Sequence, residues 1–151
     1  MSKKIFVDAN IILDFFDTNR PSHIYSANFY KYALENNFIL VTSCDIITTL
    51  YYIEAKYDKH NALLKIQNVN KTLKVVEFSN KEVEDTCNLM LLDRDYIDLE
   101  DTIQFVLAKK QKCDYIISND KKFVSKEIKL LTSEEFCYKY NIVKGIAYGS
   151  S

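Results

Sequence analysis

Glycine and proline are scarce in this chain, which has two glycines and one proline in 151 residues. Together with 48% hydrophobic and 27% charged residues, this composition argues against disorder and against repeat architectures. The sequence also lacks a glycine-rich phosphate-binding loop and a Gly-x-Ser-x-Gly nucleophile elbow. We therefore predict one compact, helix-rich domain over residues 1–145, followed by a short C-terminal tail at 146–151.

Close cysteine pairs are absent as well. The four cysteines, Cys44, Cys87, Cys113 and Cys137, are more than twenty residues apart, without the short spacing that zinc sites use. We interpret them as reduced core residues of a cytosolic protein. No stretch is apolar over enough residues to form a signal peptide or a membrane helix. We therefore expect a cytoplasmic protein that makes no membrane contact.

A strong excess of positive charge is also missing, since the formal net charge is −1, whereas many nucleic-acid-binding proteins are strongly basic. The charges are nevertheless unevenly distributed. Residues 82–101 include eight acids and one base, and residues 109–129 include seven lysines and three acids. An acidic, metal-binding pocket beside a lysine-rich rim would suit a polyanionic substrate. Solvated helix faces are the simpler explanation of the lysines.

Five short apolar runs predict β-strands at residues 5–7, 38–42, 73–78, 115–118 and 128–131. Helical patterns lie between and after them, at residues 11–16, 21–36, 45–57, 61–70, 81–92, 101–112 and 134–140. Strands that alternate with helices imply right-handed crossovers and a parallel sheet covered on both faces. The predicted fold class is therefore α/β, a three-layer α/β/α sandwich with a central, mainly parallel five-stranded sheet.

Four aspartates lie at the ends of these predicted elements. Asp8 follows the first strand, Asp120 follows the fourth, and Asp98 and Asp101 open an apolar helix. Because the carboxyl ends of parallel strands meet at one edge of a sheet, we expect these side chains to converge there. Converging carboxylates raise one another's pKa unless a cation neutralises them. The pattern therefore predicts a divalent-metal site, with oxygen ligands suited to Mg²⁺ or Mn²⁺.

Each of these aspartates also has an ordinary structural explanation. Asp8 could be the N-cap of a helix, and Asp98 with Asp101 could be a variant of a capping box. Asp120 could simply form a turn. The metal interpretation gains support from the apolar helix 102–108, which must pack on the sheet and so directs its first turn at the crevice.

Three segments taken together carry a resemblance to a known family: 7–14 (VDANIILD), 98–104 (DLEDTIQ) and 116–123 (IISNDKKF). In this order and spacing they resemble the PIN-domain family, especially the bacterial VapC-like toxins. The resemblance implies a metal-dependent endoribonuclease that holds Mg²⁺ or Mn²⁺ with Asp8, Asp101 and Asp120, with Asp98 as an additional acid. It also implies a homodimer that is silenced by a cognate antitoxin.

One position departs from the family pattern. Many members carry a glutamate on the helix after the second strand, and Thr49 stands there in this chain. A threonine contributes no charge, so one carboxylate is lost from the expected metal site. Asp45 lies one turn earlier on the same helical face and could replace it, whereas Glu54 lies about 140° around the helix and could not.

The mechanistic hypothesis is hydrolysis of RNA by metal-activated water. The catalytic acids would be assisted by polar neighbours and by cationic contacts to the RNA backbone. The supporting residues are Asn10, Asp45, Thr49, Ser118 and Asn119, and the candidate RNA contacts are Arg20, Lys121 and Lys122.

Two other functions remain open at this point. A haloacid-dehalogenase-like phosphohydrolase also uses an aspartate after its first strand, but it needs a second aspartate where Asn10 stands. A catalytically degenerate PIN fold that binds RNA or an antitoxin without cutting is suggested by Thr49.

Overall fold

The structure is a computed structural model that describes residues 2–142. Over these residues the chain forms β1 (Lys4–Val7), α1 (Ala9–Phe16), α2 (His23–Glu35), β2 (Ile39–Ser43), α3 (Cys44–Glu54), α4 (Lys59–Thr72), β3 (Lys74–Val76), α5 (Asn80–Leu92), α6 (Leu99–Lys110), β4 (Tyr115–Ile117), β5 (Lys129–Leu131) and α7 (Ser133–Lys139). Every predicted strand and helix corresponds to one of these elements, with ends that differ by a few residues. The predicted end of the domain at residue 145 and the tail at 146–151 lie outside the described residues.

The five strands form one sheet in the order β3-β2-β1-β4-β5, and all four pairings are parallel. Strand β1 is central, with Phe6 paired to Val41 on one side and to Ile116 on the other. All three of these side chains are fully buried, as expected for a parallel sheet covered by helices on both faces. The predicted α/β/α sandwich is confirmed.

The strand order determines where the loops meet. The chain proceeds outward from β1 through β2 to β3 in one direction, and β4 and β5 are added on the other side of β1. The backbone N–H of Asp8 donates to the carbonyl of Ile117 at 3.1 Å, and the Thr42 hydroxyl donates to the carbonyl of Val7 at 3.1 Å. The carboxyl ends of β1, β2 and β4 are thus adjacent, which is where open α/β sheets bind ligands.

Two helices begin with complete capping boxes. Ser79 and Glu82 cap α5, and Thr132 and Glu135 cap α7, each pair satisfying backbone N–H groups that the helix itself leaves unpaired. The same pattern at residues 42–45 predicts a helix start, and α3 does begin there at Cys44, although without a side-chain cap.

The cysteines are consistent with a reduced protein. All four cysteines are free. Cys113 and Cys137 are buried and Cys44 is partly buried, but Cys87 is exposed, so its predicted core position is wrong. On the same helix, α5, the neighbouring residue Thr86 is buried instead. Within residues 2–142, none of the helices has the length and apolar character that crossing a membrane requires.

An aromatic cluster attaches the last helix to the rest of the domain. Phe136 of α7 is fully buried and packs edge-on against Phe29 of α2, with 4.8 Å between ring centroids. Tyr140 stacks on Phe136 at 4.5 Å, and Phe38 meets the same ring at 6.3 Å. Aromatic pairs of this kind add stability beyond the area they bury. Helix α7 is therefore fixed to α2 and to the start of β2.

Truncating one buried and one exposed leucine tests which side chains form the core. Leu50 on α3 is fully buried and Leu63 on α4 is 54% exposed. Leu50→Ala should lower the free energy of unfolding by about 2–5 kcal/mol, and Leu63→Ala by about 0.5 kcal/mol or less. The measurement is urea denaturation, and equal losses in the two variants would contradict the assigned core.

Candidate active site

Asp8 stands at the junction of β1 and α1 and is 7% exposed. Its Oδ1 accepts the backbone N–H of Ala9 at 2.8 Å. Its Oδ2 accepts the Ser118 hydroxyl at 2.7 Å and the Asn10 amide at 3.1 Å. Asp8 is therefore the helix cap that the sequence allowed, and it is also aimed at the edge of the sheet where β4 ends.

Burial raises the pKa of the Asp8 carboxyl above its ordinary value. The hydrogen bonds from Ser118 and Ala9 oppose this rise, and the negative charge of Asp120 adds to it. The influence of Asp120 shows that the two carboxylates are close enough to repel each other, although they are 112 residues apart in the chain.

Helix α6 presents further acids from its first turn. Asp98 caps the helix, and its Oδ1 accepts the backbone N–H of Asp101 at 2.9 Å. The pKa of Asp101 is raised to about 7, first by partial burial and then by the charges of Asp8, Asp98 and Asp120. The capping interpretation of Asp98 is thus confirmed, and the same cap places Asp101 among the other acids.

Glu100 belongs to this group although the sequence analysis did not select it. Its pKa is raised by burial and then by the charges of Asp45, Asp98 and Asp8. The available signal was the run 98–101, in which three of four consecutive residues are acidic. We refer to Asp8, Asp98, Glu100, Asp101 and Asp120 as the acidic cluster.

Asp45 points toward α6 from the first turn of α3. The Gln104 amide donates to both of its carboxylate oxygens, at 3.0 and 3.2 Å, and the Ser43 hydroxyl donates to Oδ1. The negative charge of Asp45 also raises the pKa of Glu100. Thr49, one turn later, lines an open groove along α3 beside Tyr52. Helix α3 therefore supplies a carboxylate next to the acidic cluster through Asp45.

Asp120 follows β4 in a tight turn. Its backbone N–H donates to the Ser118 hydroxyl at 3.1 Å, and its Oδ1 accepts the backbone N–H of Lys122 at 2.9 Å. The turn-forming role is thus present, and the carboxylate still lies within electrostatic range of Asp8 and Asp101. Lys121 and Lys122 are exposed beside it.

Asn119, a predicted supporting residue, and Arg20, a predicted RNA contact, also make internal contacts. The Asn119 amide hydrogen-bonds with Asp14 and Ser133. The Nε of Arg20 pairs with Asp14 at 2.7 Å. Asn119 and Arg20 are therefore engaged in holding the protein together, whereas Lys121 and Lys122 face solvent.

The acidic cluster is not a finished metal cage. No group of three or more histidine, cysteine, aspartate or glutamate side chains within residues 2–142 is arranged so that it could hold a metal ion. Mutual repulsion keeps ionised carboxylates apart. The charges and the oxygen-only donors still fit a hydrated divalent cation, because Mg²⁺ keeps several waters and uses one or two protein carboxylates.

Comparisons with known proteins agree with this geometry. The model of the PIN domain family matches residues 4–122. Ribonuclease VapC1 of Aquifex aeolicus (strain VF5) is 49% identical over 140 residues, which cover 93% of this chain and 97% of that protein.

Two solved structures share the fold at low sequence identity. VapC20 of Mycobacterium tuberculosis, described as a sarcin-ricin loop cleaving toxin, is 13% identical with a TM-score of 0.65, over 79% of this chain and 92% of its own. A toxin-antitoxin complex from Klebsiella pneumoniae is 18% identical with a TM-score of 0.63, over 85% and 97%. The family match and the 49% identical relative remove the haloacid-dehalogenase-like alternative. On the family match and the near full-length relative, the chain belongs to the PIN-domain family.

Proposed function

We propose that this protein is a metal-dependent endoribonuclease that hydrolyses RNA phosphodiester bonds as the toxin of a toxin-antitoxin pair. Homology to a VapC ribonuclease over nearly the whole of both chains supports the reaction. The observation that carries the metal dependence is the acidic cluster, in which burial and three neighbouring aspartates raise the pKa of Asp101 to about 7. Carboxylates that repel one another this strongly gain most from a bound cation.

Asp8, Asp101 and Asp120 would hold Mg²⁺ or Mn²⁺, directly or through water, with Asp98 beside them. A bound ion of this kind polarises phosphate oxygens and makes water more acidic. The protein's own contribution is orientation, because the hydroxyl of Ser118 and the amide of Asn10 fix the Asp8 carboxylate. Such fixed geometry is what allows a site to favour a transition state.

The exposed lysines of the loop after β4 are the proposed contacts to the RNA backbone. Lys121 and Lys122 lie directly after Asp120 and are exposed. Lysine contacts to phosphates position a nucleic acid without reading its sequence. These two residues therefore suit the phosphates that flank the cleaved bond, and their contribution should weaken with salt.

A catalytically degenerate PIN fold that binds RNA or an antitoxin is the second candidate. It is favoured by Thr49, which supplies no carboxylate, and by the open arrangement of the acids. Asp45 argues against it, because its carboxylate faces α6 beside Glu100. Calorimetry with Mn²⁺ separates the two, since binding that is lost in Asp8→Asn favours the nuclease and no binding favours the degenerate module.

A cognate antitoxin and a second copy of the chain are the proposed partners, and the cytoplasm is the proposed compartment. The solved relative from Klebsiella pneumoniae is a toxin-antitoxin complex. Four exposed apolar residues lie between the end of α5 and the start of α6, close in sequence to Asp98, and we call them the apolar patch: Leu91, Leu92, Ile97 and Leu99, with exposures of 80, 87, 71 and 53%. Apolar surface of this kind is typical of interaction sites, and we assign it to self-association.

Replacing Asp8 with asparagine should abolish cleavage. Asparagine still caps a helix, but it removes the charge, so the rate of RNA cleavage with Mn²⁺ should fall by about 100-fold or more. Asp58→Asn is the matched control, because Asp58 caps α4 through the backbone of Asn61. The measurement is cleavage of RNA by protein whose fold is verified by circular dichroism. A folded Asp8→Asn variant with normal activity would refute the assignment.

The raised pKa of Asp101 predicts how stability depends on pH without metal. Between about pH 4 and about pH 7 the Asp101 carboxyl is more protonated in the folded state than in the unfolded state, so its contribution to the free energy of unfolding should fall as pH rises. The asparagine of Asp101→Asn cannot titrate. The melting temperature of this variant should therefore rise relative to that of the wild type as the pH increases from about 4 to about 7. Mn²⁺ at neutral pH should then stabilise the wild type more than the variant.

The control for a lost negative charge is Glu84→Gln, which is exposed on α5. Its melting curve should follow the wild type across the same pH range. Parallel pH profiles for the wild type and Asp101→Asn would show that Asp101 is not perturbed by the acidic cluster.

Charge placed on the apolar patch should break a dimer. Leu92→Lys with Ile97→Lys should reduce the mass in light scattering from two chains to one, because a buried unpaired charge is costly. Leu64→Lys on α4, which is 51% exposed in the wild type, should leave the mass unchanged. A wild type that is monomeric at high concentration would rule out this interface.

A further inference from the structure

Asp14, in the last part of α1, is a buried carboxylate that the proposed chemistry does not use. It is 4% exposed. Its Oδ1 accepts Arg20 Nε at 2.7 Å, and its Oδ2 accepts the Ser26 hydroxyl and the Asn119 amide, both at 2.9 Å. Burying a charge is expensive unless it is paired and hydrogen-bonded. Here the charge joins α1, the start of α2 and the loop after β4.

Asn119 is held from the other side as well. Its Nδ2 also donates to the Ser133 hydroxyl at 3.1 Å, and its Oδ1 accepts the backbone N–H of Ser133 at 3.0 Å. Its own backbone N–H donates to Oδ1 of Asn10 at 2.9 Å. With a longer contact of 3.5 Å from its Nδ2 to the Ser26 hydroxyl, Asn119 is attached to α1, α2 and α7 at once. We call Asp14, Arg20, Ser26, Asn119 and Ser133 the buried clamp.

The residues on either side of Asn119 belong to the candidate active site. Ser118 donates its hydroxyl to Asp8 at 2.7 Å and its backbone N–H to the carbonyl of Leu131 at 3.0 Å. Asp120 donates its backbone N–H to the Ser118 hydroxyl at 3.1 Å. Because a peptide unit is rigid, holding residue 119 determines where Ser118 and Asp120 can lie.

We propose that Asp14 is a positioning residue, whose buried carboxylate, neutralised by Arg20, holds Asn119 so that Ser118 and Asp120 keep their places beside Asp8. The effect of Asp14 on RNA cleavage rests on the function proposed above, whereas its effect on the loop after β4 does not. Asp14 touches neither Asp8 nor Asp120 through its hydrogen bonds, and acts through Asn119.

Asparagine at position 14 tests this role with little change of volume. The carboxylate accepts three donors, from Arg20, Ser26 and Asn119. An asparagine offers one acceptor oxygen and turns an N–H₂ group toward the remaining donors. The substitution therefore breaks the clamp without creating a cavity.

Hydrogen-deuterium exchange on the full chain measures the loop directly. The amide protons of residues 118–120 are all hydrogen-bonded. They should exchange about tenfold faster or more in Asp14→Asn, as expected on losing a charge-assisted hydrogen bond. Leu50→Ala is a destabilised variant outside the clamp. It should leave the ratio of the exchange rates of this loop and of the core strands unchanged. Exchange at 118–120 that does not change in Asp14→Asn would overturn the proposal.

Kinetics with Mn²⁺ and RNA provide the second measurement, at a temperature where all variants are folded. Asp14→Asn should lower kcat by about ten- to a hundredfold with little change in KM, whereas Leu50→Ala should retain the wild-type kcat. Asn119→Ala should have a similar effect, and the kcat of the double variant should be no lower than that of the more impaired single variant, because both substitutions act through one contact. Additive losses, or a normal kcat in Asp14→Asn, would contradict positioning through Asn119.

Ser133→Ala is a milder variant that keeps the test decisive if Asp14→Asn does not fold. It removes one acceptor of the Asn119 amide and should move exchange and kcat in the same direction by a smaller amount. A wild type that neither binds Mn²⁺ nor cuts RNA, yet shows the expected exchange difference, would refute the proposed function and support the clamp.

Discussion

Repulsion between carboxylates at one edge of a parallel sheet is the constraint on which the rest of this molecule depends. Asp8 follows the central strand β1, and Asp101 and Asp120 reach the same edge from α6 and from the loop after β4. Without a partner, each charge destabilises the others. The hydrogen bonds of Ser118 and Asn10 offset part of this cost at Asp8, and a cation can offset the remainder. Stability at this edge is therefore in tension with the metal-dependent function proposed for it.

The layers and the principal acids could be predicted from the sequence because their signals are local. Short β-branched and aromatic runs separated by helical patterns determine a parallel sheet, and parallel strands place their carboxyl ends together. Asp8 and Asp120 follow such runs directly, so their convergence needed no long-range information. Asp101 could be identified because it opens an apolar helix that must pack on the sheet.

The remaining parts of the site depend on contacts between distant segments. Nothing near Asn119 in the sequence announces that its amide is shared by Asp14 and Ser133, because that contact exists only after α1, α2 and α7 have packed. Glu100 resembled an ordinary residue of a helix start, and its membership depends on the position of Asp45 on another helix. The pattern at 42–45 correctly marked the start of α3, but it did not show that the Ser43 hydroxyl would donate to the Asp45 side chain.

The attachment of Asn119 to α7 has a consequence for biosynthesis. Ser133 is the first residue of α7, and the aromatic ring that seats this helix, Phe136, comes three residues later. A nascent chain that still has these residues inside the ribosomal exit tunnel already contains the whole acidic cluster but cannot yet brace the loop that carries Asp120. The acidic edge can therefore be completed only after α7 has left the tunnel and packed on α2.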